Sequence, residues 1–284
     1  MRNFWRCYCQ SGYGPAGLVL LAIIVMVALL APRLAPYDPG ALNPALLAPP
    51  SVSHPLGTDH LGRDVLSGLT FGTRVSLIVG FTAAIISAVV GTLLGAVAGY
   101  AGGLVDEIVD KIISVFLMVP TFFLILLIVA MYGNSFIHIM LIIGLTIWPS
   151  NARLMRAQAL SLRERTFTKA TLALGETHAR IVLKHIVPNG IYPVIANTTL
   201  QMGRAILTEA SLSFIGLGDA NIPSWGRMIS EGRYYILTAW WATFFPGLAI
   251  LLTVMSFYFI GDGLNLALNP KLHEGVLKDA RTVA

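Results

Sequence analysis

Four side chains that could bind a metal ion occur close together near the start of the sequence. They are His54, Asp59, His60 and Asp64, and imidazole and carboxylate groups are common metal ligands. Their spacing matches no metal-binding motif, and the prolines and glycines between them are typical of a turn-rich loop. We therefore predict no metal site, and we expect Thr58 or Asp59 to cap a short helix that begins near His60.

Two further ionisable residues, Arg204 and Glu209, follow the apolar segment 186–202 at its predicted outer end. Ionisable groups beside a membrane segment are functional candidates by default. They could line a pore or form a structural pair, although a separation of five positions is poor for direct contact along a helix. The chain has no Gly-x-x-x-x-Gly-Lys-Ser/Thr loop for nucleotide phosphates, so we expect it to bind no cofactor itself.

Composition decides what kind of protein must position these groups. Apolar residues make up 56% of the chain and charged residues 12%, against roughly 25% charged residues in an ordinary globular protein. A chain so poor in charge cannot cover a soluble surface with polar side chains. This excludes a typical soluble enzyme, a disordered protein and a nucleic-acid-binding protein, and it indicates a multi-pass membrane protein.

Six apolar segments are candidates for membrane-spanning helices of about 20 residues each. We predict an all-α fold with a first span over 16–36, an extracytoplasmic segment over 37–70 and a five-helix core over 71–265. A cleaved signal peptide is the alternative reading of the first apolar segment. The segments are 16–31, 75–100, two within 112–150 separated by a turn at 132–135, the weaker 186–202, and 234–260.

The distribution of basic residues predicts the orientation of these spans. With the N-terminus inside, 13 of the 19 lysines and arginines fall in cytoplasmic segments, as the positive-inside rule requires. Residues 1–15 and the tail 266–284 are then both cytoplasmic. Topology therefore explains the net charge of +5, and a nucleic-acid partner is not needed.

The longest cytoplasmic segment, 153–185, is too regular for a linker. Ser161 and Glu164 fit a capping box that opens a helix, and Gly175 is suited to end it. We expect a second helix in which Arg180 pairs with Glu176. This helix has one apolar face and one basic face. The apolar face carries Ile181, Val182, His185 and Ile186, and the basic one Arg180 and Lys184. Such a hairpin could dock on a soluble partner or lie on anionic lipid.

The hairpin segment resembles a motif of a known protein family. Residues 167–175, FTKATLALG, with 185–189, HIVPN, look like the cytoplasmic EAA loop of binding-protein-dependent ABC importer permeases. The likeness is to the C-type permease of dipeptide, oligopeptide and nickel importers, and it extends over about residues 16–272. Three more segments resemble that family, namely 54–64, 212–218 with 223–226, and 261–264 with 268–271.

The resemblance implies a type I ABC importer permease fold, in which the loop docks on an ATP-hydrolysing subunit. The glutamate that names the motif falls at Lys169 here, and its second alanine falls at Thr171. This change puts in question any salt bridge that the family makes at that position. The implied coupling residues are Phe167, Lys169, Ala170, Ala173, Leu174, Gly175, Glu176, His185 and Pro188.

A stripe of small residues at four-residue spacing marks the second span. Ser87, Gly91, Gly95 and Gly99 fall on one helical face and would let another helix approach closely. The stripe could contact a second permease subunit or a moving seam, but static packing within the chain is the favoured interpretation.

The resemblance implies a transport subunit of an ATP-driven importer in the plasma membrane of a prokaryote, and not an enzyme. Its expected partners are a homologous second permease, two ATP-binding subunits that hold ATP and Mg²⁺, an extracytoplasmic binding protein and membrane lipid. We expect dipeptides or oligopeptides as cargo, with nickel or a metal chelate as the alternative. An ion-driven secondary transporter is the alternative of another class, although charge-free spans argue against it.

Overall fold

The computed structural model of the chain describes residues 5, 8, 9 and 12–268, and within these residues all regular elements are helical. The predicted all-α fold is confirmed. Most of the segments 1–15 and 266–284 lies outside the described residues. The helices are α1 (Tyr13–Leu34), α2 (Val65–Ala101), α3 (Gly103–Met118), α4 (Thr121–Tyr132), α5 (Phe136–Arg163), α6 (Thr166–Ala173), α7 (His178–Ile181), α8 (Val187–Gly190), α9 (Tyr192–Phe214), α10 (Trp225–Gly232) and α11 (Trp241–Leu268).

Four of the described helices, α1, α2, α5 and α11, are long and apolar enough to cross a membrane, and the bent pair α3–α4 can count as a fifth. The fifth predicted span, 186–202, falls on α9, which has 23 residues and is therefore roughly 35 Å long. This helix is less apolar than the other predicted spans because it contains polar residues such as Asn197 and Gln201, whose side chains point into the bundle. By length and composition, the described residues thus offer four or five spans against the six predicted.

The hairpin within 112–150 differs from the prediction in one respect. The turn near Tyr132 is present, but the first helix begins earlier, at Gly103, and also breaks between Met118 and Thr121 with a bend of 87°. Pro120 has no N–H for the helix and forces the preceding residue, Val119, into an extended conformation. The acidic residues Asp106, Glu107 and Asp110, which lie between two predicted spans, are therefore part of α3.

The centre of the bundle is the contact between α2 and α5. The small-residue stripe of α2 lies along this contact: a Cβ on Gly95 would be 2.3 Å from the carbonyl oxygen of Ala152, and one on Gly99 would be 2.5 Å from that of Arg156. These distances leave no room for a side chain, so the stripe is occupied by packing within the chain.

The first helix, α1, packs against α11 and α2 on the outside of this core. Pro32 lies inside α1 and cannot donate a hydrogen bond to the carbonyl of Ala28, four residues earlier. Arg74 of α2 supplies the missing donor, since its guanidinium contacts the Ala28 oxygen at 2.5 Å and the Leu29 oxygen at 3.0 Å. Arg74 therefore replaces the hydrogen bond that Pro32 cannot donate, and it links α1 to the core.

We expect Arg74→Met to weaken the attachment of α1 by about 1.5–3 kcal/mol, the usual contribution of a hydrogen bond to a charged group. Pro32→Ala restores the helical N–H, so the double variant should recover most of the lost stability. The measurement is the thermal unfolding of the purified protein in detergent. Equal losses in the Arg74→Met and double variants would contradict this account.

Candidate functional site

The segment between α5 and α9 forms a hairpin, here named the 164–190 hairpin. The predicted capping box is wrong, because α5 continues to Arg163 and Ser161 is an ordinary exposed residue within it. The end of α5 is instead capped by Thr168, whose hydroxyl donates to the Leu162 carbonyl at 2.7 Å. The first hairpin helix, α6, accordingly begins only at Thr166.

Gly175 ends α6 as predicted. Its φ of +82° is a conformation that only glycine adopts without strain. The Gly175 N–H donates to the Leu172 carbonyl at 3.0 Å, and the Glu176 N–H donates to the Thr171 carbonyl at 3.2 Å. This pair of bonds is the Schellman motif, which satisfies carbonyls at the end of the helix and fixes the direction of the following chain.

The tip of the hairpin presents an apolar surface. Leu174 is 86% exposed, Leu172 48% and Phe167 39%, and the small residues Ala170 and Ala173 lie exposed beside them. Apolar side chains clustered on an exposed short helix mark an interaction surface. The arrangement can bury these side chains in a partner without any change in α6.

Lys169 stands where the family's motif has glutamate, and its side chain forms a local ion pair. Lys169 Nζ lies 3.0 Å from Glu164 Oε2, and Arg163 Nε lies 3.2 Å from Glu164 Oε1. The hydrogen bonds from Lys169 and Arg163 hold the pKa of Glu164 below its usual range. A carboxylate therefore remains beside α6, supplied by residue 164 instead of residue 169.

The second arm of the hairpin is anchored in the bundle. Ile181, Val182 and Ile186 are buried against Ala96 of α2 and Met155 of α5, which agrees with the predicted apolar face, and Arg180 and Lys184 are exposed. Residues 182–186 form a π-helical turn directly before Pro188. Proline clashes with the carbonyl four residues earlier, and the wider turn accommodates it.

Two histidines fix the hairpin in place. His185 Nε2 lies 2.8 Å from Glu176 Oε2 and so joins the second arm to the connecting turn, whereas the sequence predicted that Glu176 would pair with Arg180. That prediction is wrong because the second helix begins only at His178, which places Glu176 in the connecting turn. The Tyr100 hydroxyl, at the end of α2, lies 2.9 Å from His178 Nδ1.

Arg204 and Glu209 do not meet. Arg204 is exposed, whereas Glu209 is 4% exposed and accepts a hydrogen bond from Ser213 at 2.6 Å. The reading of these two residues as an ion pair therefore does not fit the structure. A role for either of them in lining a pore stays a prediction.

The loop between α1 and α2 contains a cap, but not the predicted one. Asp64 caps α2, accepting hydrogen bonds from the Ser67 amide at 2.8 Å and from His54 Nδ1 at 3.0 Å. Asp59 accepts the backbone N–H groups of Leu61 and Arg63. It closes a turn around His60 and does not start a helix, since the chain reverses there to bring Asp64 under α2.

Arg63 links this loop to the short helix α10. Its guanidinium lies 2.6 Å from Asp59 Oδ2 and also contacts the carboxylate of Glu231, which in turn lies 2.8 Å from Arg227 Nε. Ligand atoms of Asp59, His60 and Glu231 lie within 4.8 Å of one another. Because Arg63 already balances both carboxylates, the arrangement favours an ion-pair brace over a metal site.

We expect Glu231→Gln to lower the free energy of unfolding by about 1–2 kcal/mol at neutral pH, since the brace is partly exposed. Burial alone would raise the pKa of Glu231, but the hydrogen bond from Arg227 and the charge of Arg63 outweigh it and hold this pKa below its usual value. The stabilisation is therefore present above about pH 4.5 and is lost as the pH falls further. Unfolding measured from pH 7 to pH 3 should show the variant and wild type converging, and a constant difference would contradict the brace.

Sequence reasoning missed one group of residues. Asn151 of α5 and Asn197 and Gln201 of α9 meet Ser87 of α2 in a buried polar cluster. The available signal was the i,i+4 spacing of Asn197 and Gln201 on one face of the weakest predicted span. Polar residues repeated on one face of a membrane helix point away from lipid.

Two family models match the chain. Residues 91–274 match the inner-membrane component of binding-protein-dependent transport systems. Residues 1–50 match the N-terminal transmembrane domain of oligopeptide transport permease C. The first match includes three of the four residues of the small-residue stripe and the whole 164–190 hairpin, and together the two matches cover most of the chain.

Close relatives resemble almost the whole chain. The dipeptide transport system permease protein of Escherichia coli K12 is 42% identical over 282 residues, which cover 96% of this chain and 94% of the relative. That of Alkalihalophilus pseudofirmus is 40% identical, covering 90% and 85%. The di/tripeptide permease protein of Pseudomonas aeruginosa is 37% identical, covering 96% and 92%.

A solved structure is similar in fold. A chain of the MetNI methionine ABC transporter in an inward-facing conformation superposes with a TM-score of 0.57 at 18% identity, covering 71% of this chain and 96% of that one. At this identity the likeness supports the fold alone. Taken with the family model and the relatives, it places the chain in the family of inner-membrane components of binding-protein-dependent transport systems.

Proposed function

We propose that the chain is the transmembrane permease subunit of an ATP-driven ABC importer for dipeptides, in which it forms half of the translocation pore. The exposed apolar tip of the 164–190 hairpin carries this proposal, because it offers a docking surface where the family has its EAA loop. The relatives are named as permease proteins. The chain is accordingly a transport component and not an enzyme.

In this role the hairpin tip inserts into a cleft of an ATP-binding subunit. ATP and Mg²⁺ bind to that partner. A homologous second permease provides the other half of the pore and docks a second ATP-binding subunit. An extracytoplasmic binding protein delivers the peptide. The exposed apolar surface of α3 and α4, which includes Leu104 and Phe123, would be covered by membrane lipid and the second permease.

We further propose that both termini are cytoplasmic, in the plasma membrane of a prokaryote. The exposed basic residues Arg165, Arg180 and Lys184 lie on the 164–190 hairpin, and an excess of basic residues favours the cytoplasmic side. In this proposed orientation ATP-binding subunits can reach the hairpin, and the Arg63 brace lies on the opposite side of the membrane.

Dipeptides are favoured over nickel as cargo because the relatives described above are named for dipeptides or di/tripeptides. The test is to purify the tagged chain gently from its native membrane, identify its companions by mass spectrometry, and reconstitute the complex in liposomes with its binding protein. We expect a second permease, ATP-binding subunits and ATP-dependent uptake of labelled dipeptide. Uptake of nickel alone would overturn the peptide assignment, and a chain that purifies without any ATP-binding subunit would overturn the importer.

The docking role of the hairpin has a sharper test. Burial of a leucine side chain contributes about 1.5–3 kcal/mol, so Leu174→Asp should weaken capture of the ATP-binding subunits by about tenfold or more. Leu237, which is 97% exposed on the other side of the bundle, gives the control Leu237→Asp. Unchanged capture by the Leu174 variant would favour the reading of the hairpin as a lipid-surface element.

A further inference from the structure

A cluster of polar side chains lies inside the bundle where α2, α5 and α9 meet. We name it the core amide cluster, and its members are Ser87, Ser150, Asn151, Asn197 and Gln201. Ser87, Asn151 and Gln201 are at most 1% exposed. Gln201 is the central residue: its side-chain oxygen accepts from Ser87 Oγ at 2.6 Å and from Asn151 Nδ2 at 3.1 Å.

Further hydrogen bonds extend the cluster, among them those from Asn151 Nδ2 to Ser87 Oγ at 3.2 Å and to Thr198 Oγ1 at 3.3 Å. Gln201 Nε2 donates to the Ile147 carbonyl at 3.2 Å and to the Ser150 hydroxyl. Asn197 Nδ2 donates to Asn151 Oδ1 at 2.8 Å. In the described part of the chain, no buried side-chain atom left without a hydrogen bond belongs to this cluster. It is therefore a fully connected network.

Folding alone does not account for such a network. A buried amide in a membrane bundle is costly unless it is paired, and well-packed apolar replacements of buried polar groups are often as stable or more so. What a satisfied network adds is a unique relative position of the elements that contribute to it. The cluster thus fixes the register of three helices against one another.

The place of the cluster along these helices indicates what that register is used for. Asn151 lies about 12 residues, or roughly 18 Å, before the end of α5 at Arg163. Asn197 lies about 5 residues, or roughly 8 Å, after the start of α9 at Tyr192. Because α5 leads into the 164–190 hairpin and α9 follows it, the cluster hydrogen-bonds these two helices together between the hairpin and the rest of the bundle.

We propose that the core amide cluster is the joint through which a displacement of the 164–190 hairpin reaches the outer half of α9, with Gln201 as its principal positioning residue. The inference rests on the proposed function, since it concerns how ATP-driven motion becomes transport. Without the cluster, α5 and α9 can shift separately, and movement of the hairpin is no longer transmitted as one rigid displacement.

The test compares peptide uptake per ATP hydrolysed in liposomes that contain the complete transporter. Gln201→Leu should lower this ratio roughly tenfold, a typical size for the loss of coupling between sites, while ATP hydrolysis stays within about twofold of wild type. Thr199→Val is the matched control, because the Thr199 hydroxyl bonds only the Ile195 carbonyl of its own helix, at 3.1 Å. This control should keep the wild-type ratio.

A second variant separates transmission from stability. Gln201→Leu removes the acceptor that Ser87 and Asn151 share, whereas Gln201→Leu with Asn151→Leu replaces both central amides and should recover part of the lost thermal stability of the complex. We expect uptake per ATP to stay low in this double variant. Recovery of uptake together with stability would overturn the proposal that the cluster transmits hairpin movement. A wild-type ratio of uptake to ATP hydrolysis in Gln201→Leu would overturn it as well. Absence of ATP-driven uptake by the wild-type complex would instead overturn the proposed function, and the inference with it.

Discussion

Gly175→Val should nearly abolish dipeptide uptake while the chain still folds into the membrane. The φ of +82° at Gly175 costs an ordinary L-residue about 1–2 kcal/mol, and a β-branched one more. The Schellman bonds at Leu172 and Thr171 would break to relieve this strain. The hairpin tip would then point away from its partner, and we expect uptake to fall by about tenfold or more.

The effect of Gly175→Val would come from backbone strain and not from a steric clash, because a Cβ at this position meets no heavy atom within 4 Å. Gly175→Asn should retain most of the uptake, because asparagine tolerates the left-handed region. Gly133, with φ of +93° and equally open surroundings, supplies the control Gly133→Val, which carries the same strain far from the hairpin. Equal loss of uptake in the Gly133 and Gly175 variants would contradict a coupling role for Gly175.

Gly95→Ala should destabilise the protein strongly although it adds a single methyl group. Its Cβ would lie 2.3 Å from the Ala152 carbonyl oxygen and 3.0 Å from the Arg156 nitrogen. Both atoms belong to the backbone of α5 and cannot move aside as a side chain can, so the helices must separate. Overpacking of this kind costs about 1–3 kcal/mol, and we expect a correspondingly lower unfolding temperature and less protein in the membrane.

The same substitution at Gly247 gives the opposite expectation. Gly247 lies inside α11, and a Cβ there meets nothing within 4 Å. Alanine is favoured over glycine in a helix by about 0.5–1 kcal/mol, so Gly247→Ala should be neutral or slightly stabilising. Similar effects of the two substitutions would mean that the α2–α5 contact is looser than the structure indicates.

Sequence patterns predicted much of the fold and the hairpin because both depend on local preferences. Long apolar segments identify most membrane helices, a glycine marks the end of α6, and the apolar face with Ile181 and Ile186 follows from helical periodicity. The small-residue stripe also predicted a close helix contact. Errors arose where local signals compete: Ser161 and Glu164 fit a capping box at the start of a helix, yet Ser161 lies inside α5 and Glu164 directly follows its last residue.

Other features depend on partners that are distant in the sequence, and no local pattern could predict them. Arg63 meets Glu231 and Arg74 meets the carbonyl of Ala28 only after the helices pack. The bend at Pro120 has a sequence signal, but proline is also tolerated inside membrane helices when neighbouring groups satisfy the backbone, as Pro32 illustrates. Packing decides which of these outcomes occurs.

The sequence by itself determined that the chain is an all-helical membrane protein with an exposed hairpin, because composition and periodicity fix which segments avoid water. Only the tertiary structure decided which polar residues serve this architecture. Asn151 and Gln201 are 50 positions apart, and each alone is an unfavourable residue in an apolar helix. The hydrogen bond between these two side chains compensates for the cost of burying them. It forms only because α5 and α9 lie close together in the folded bundle.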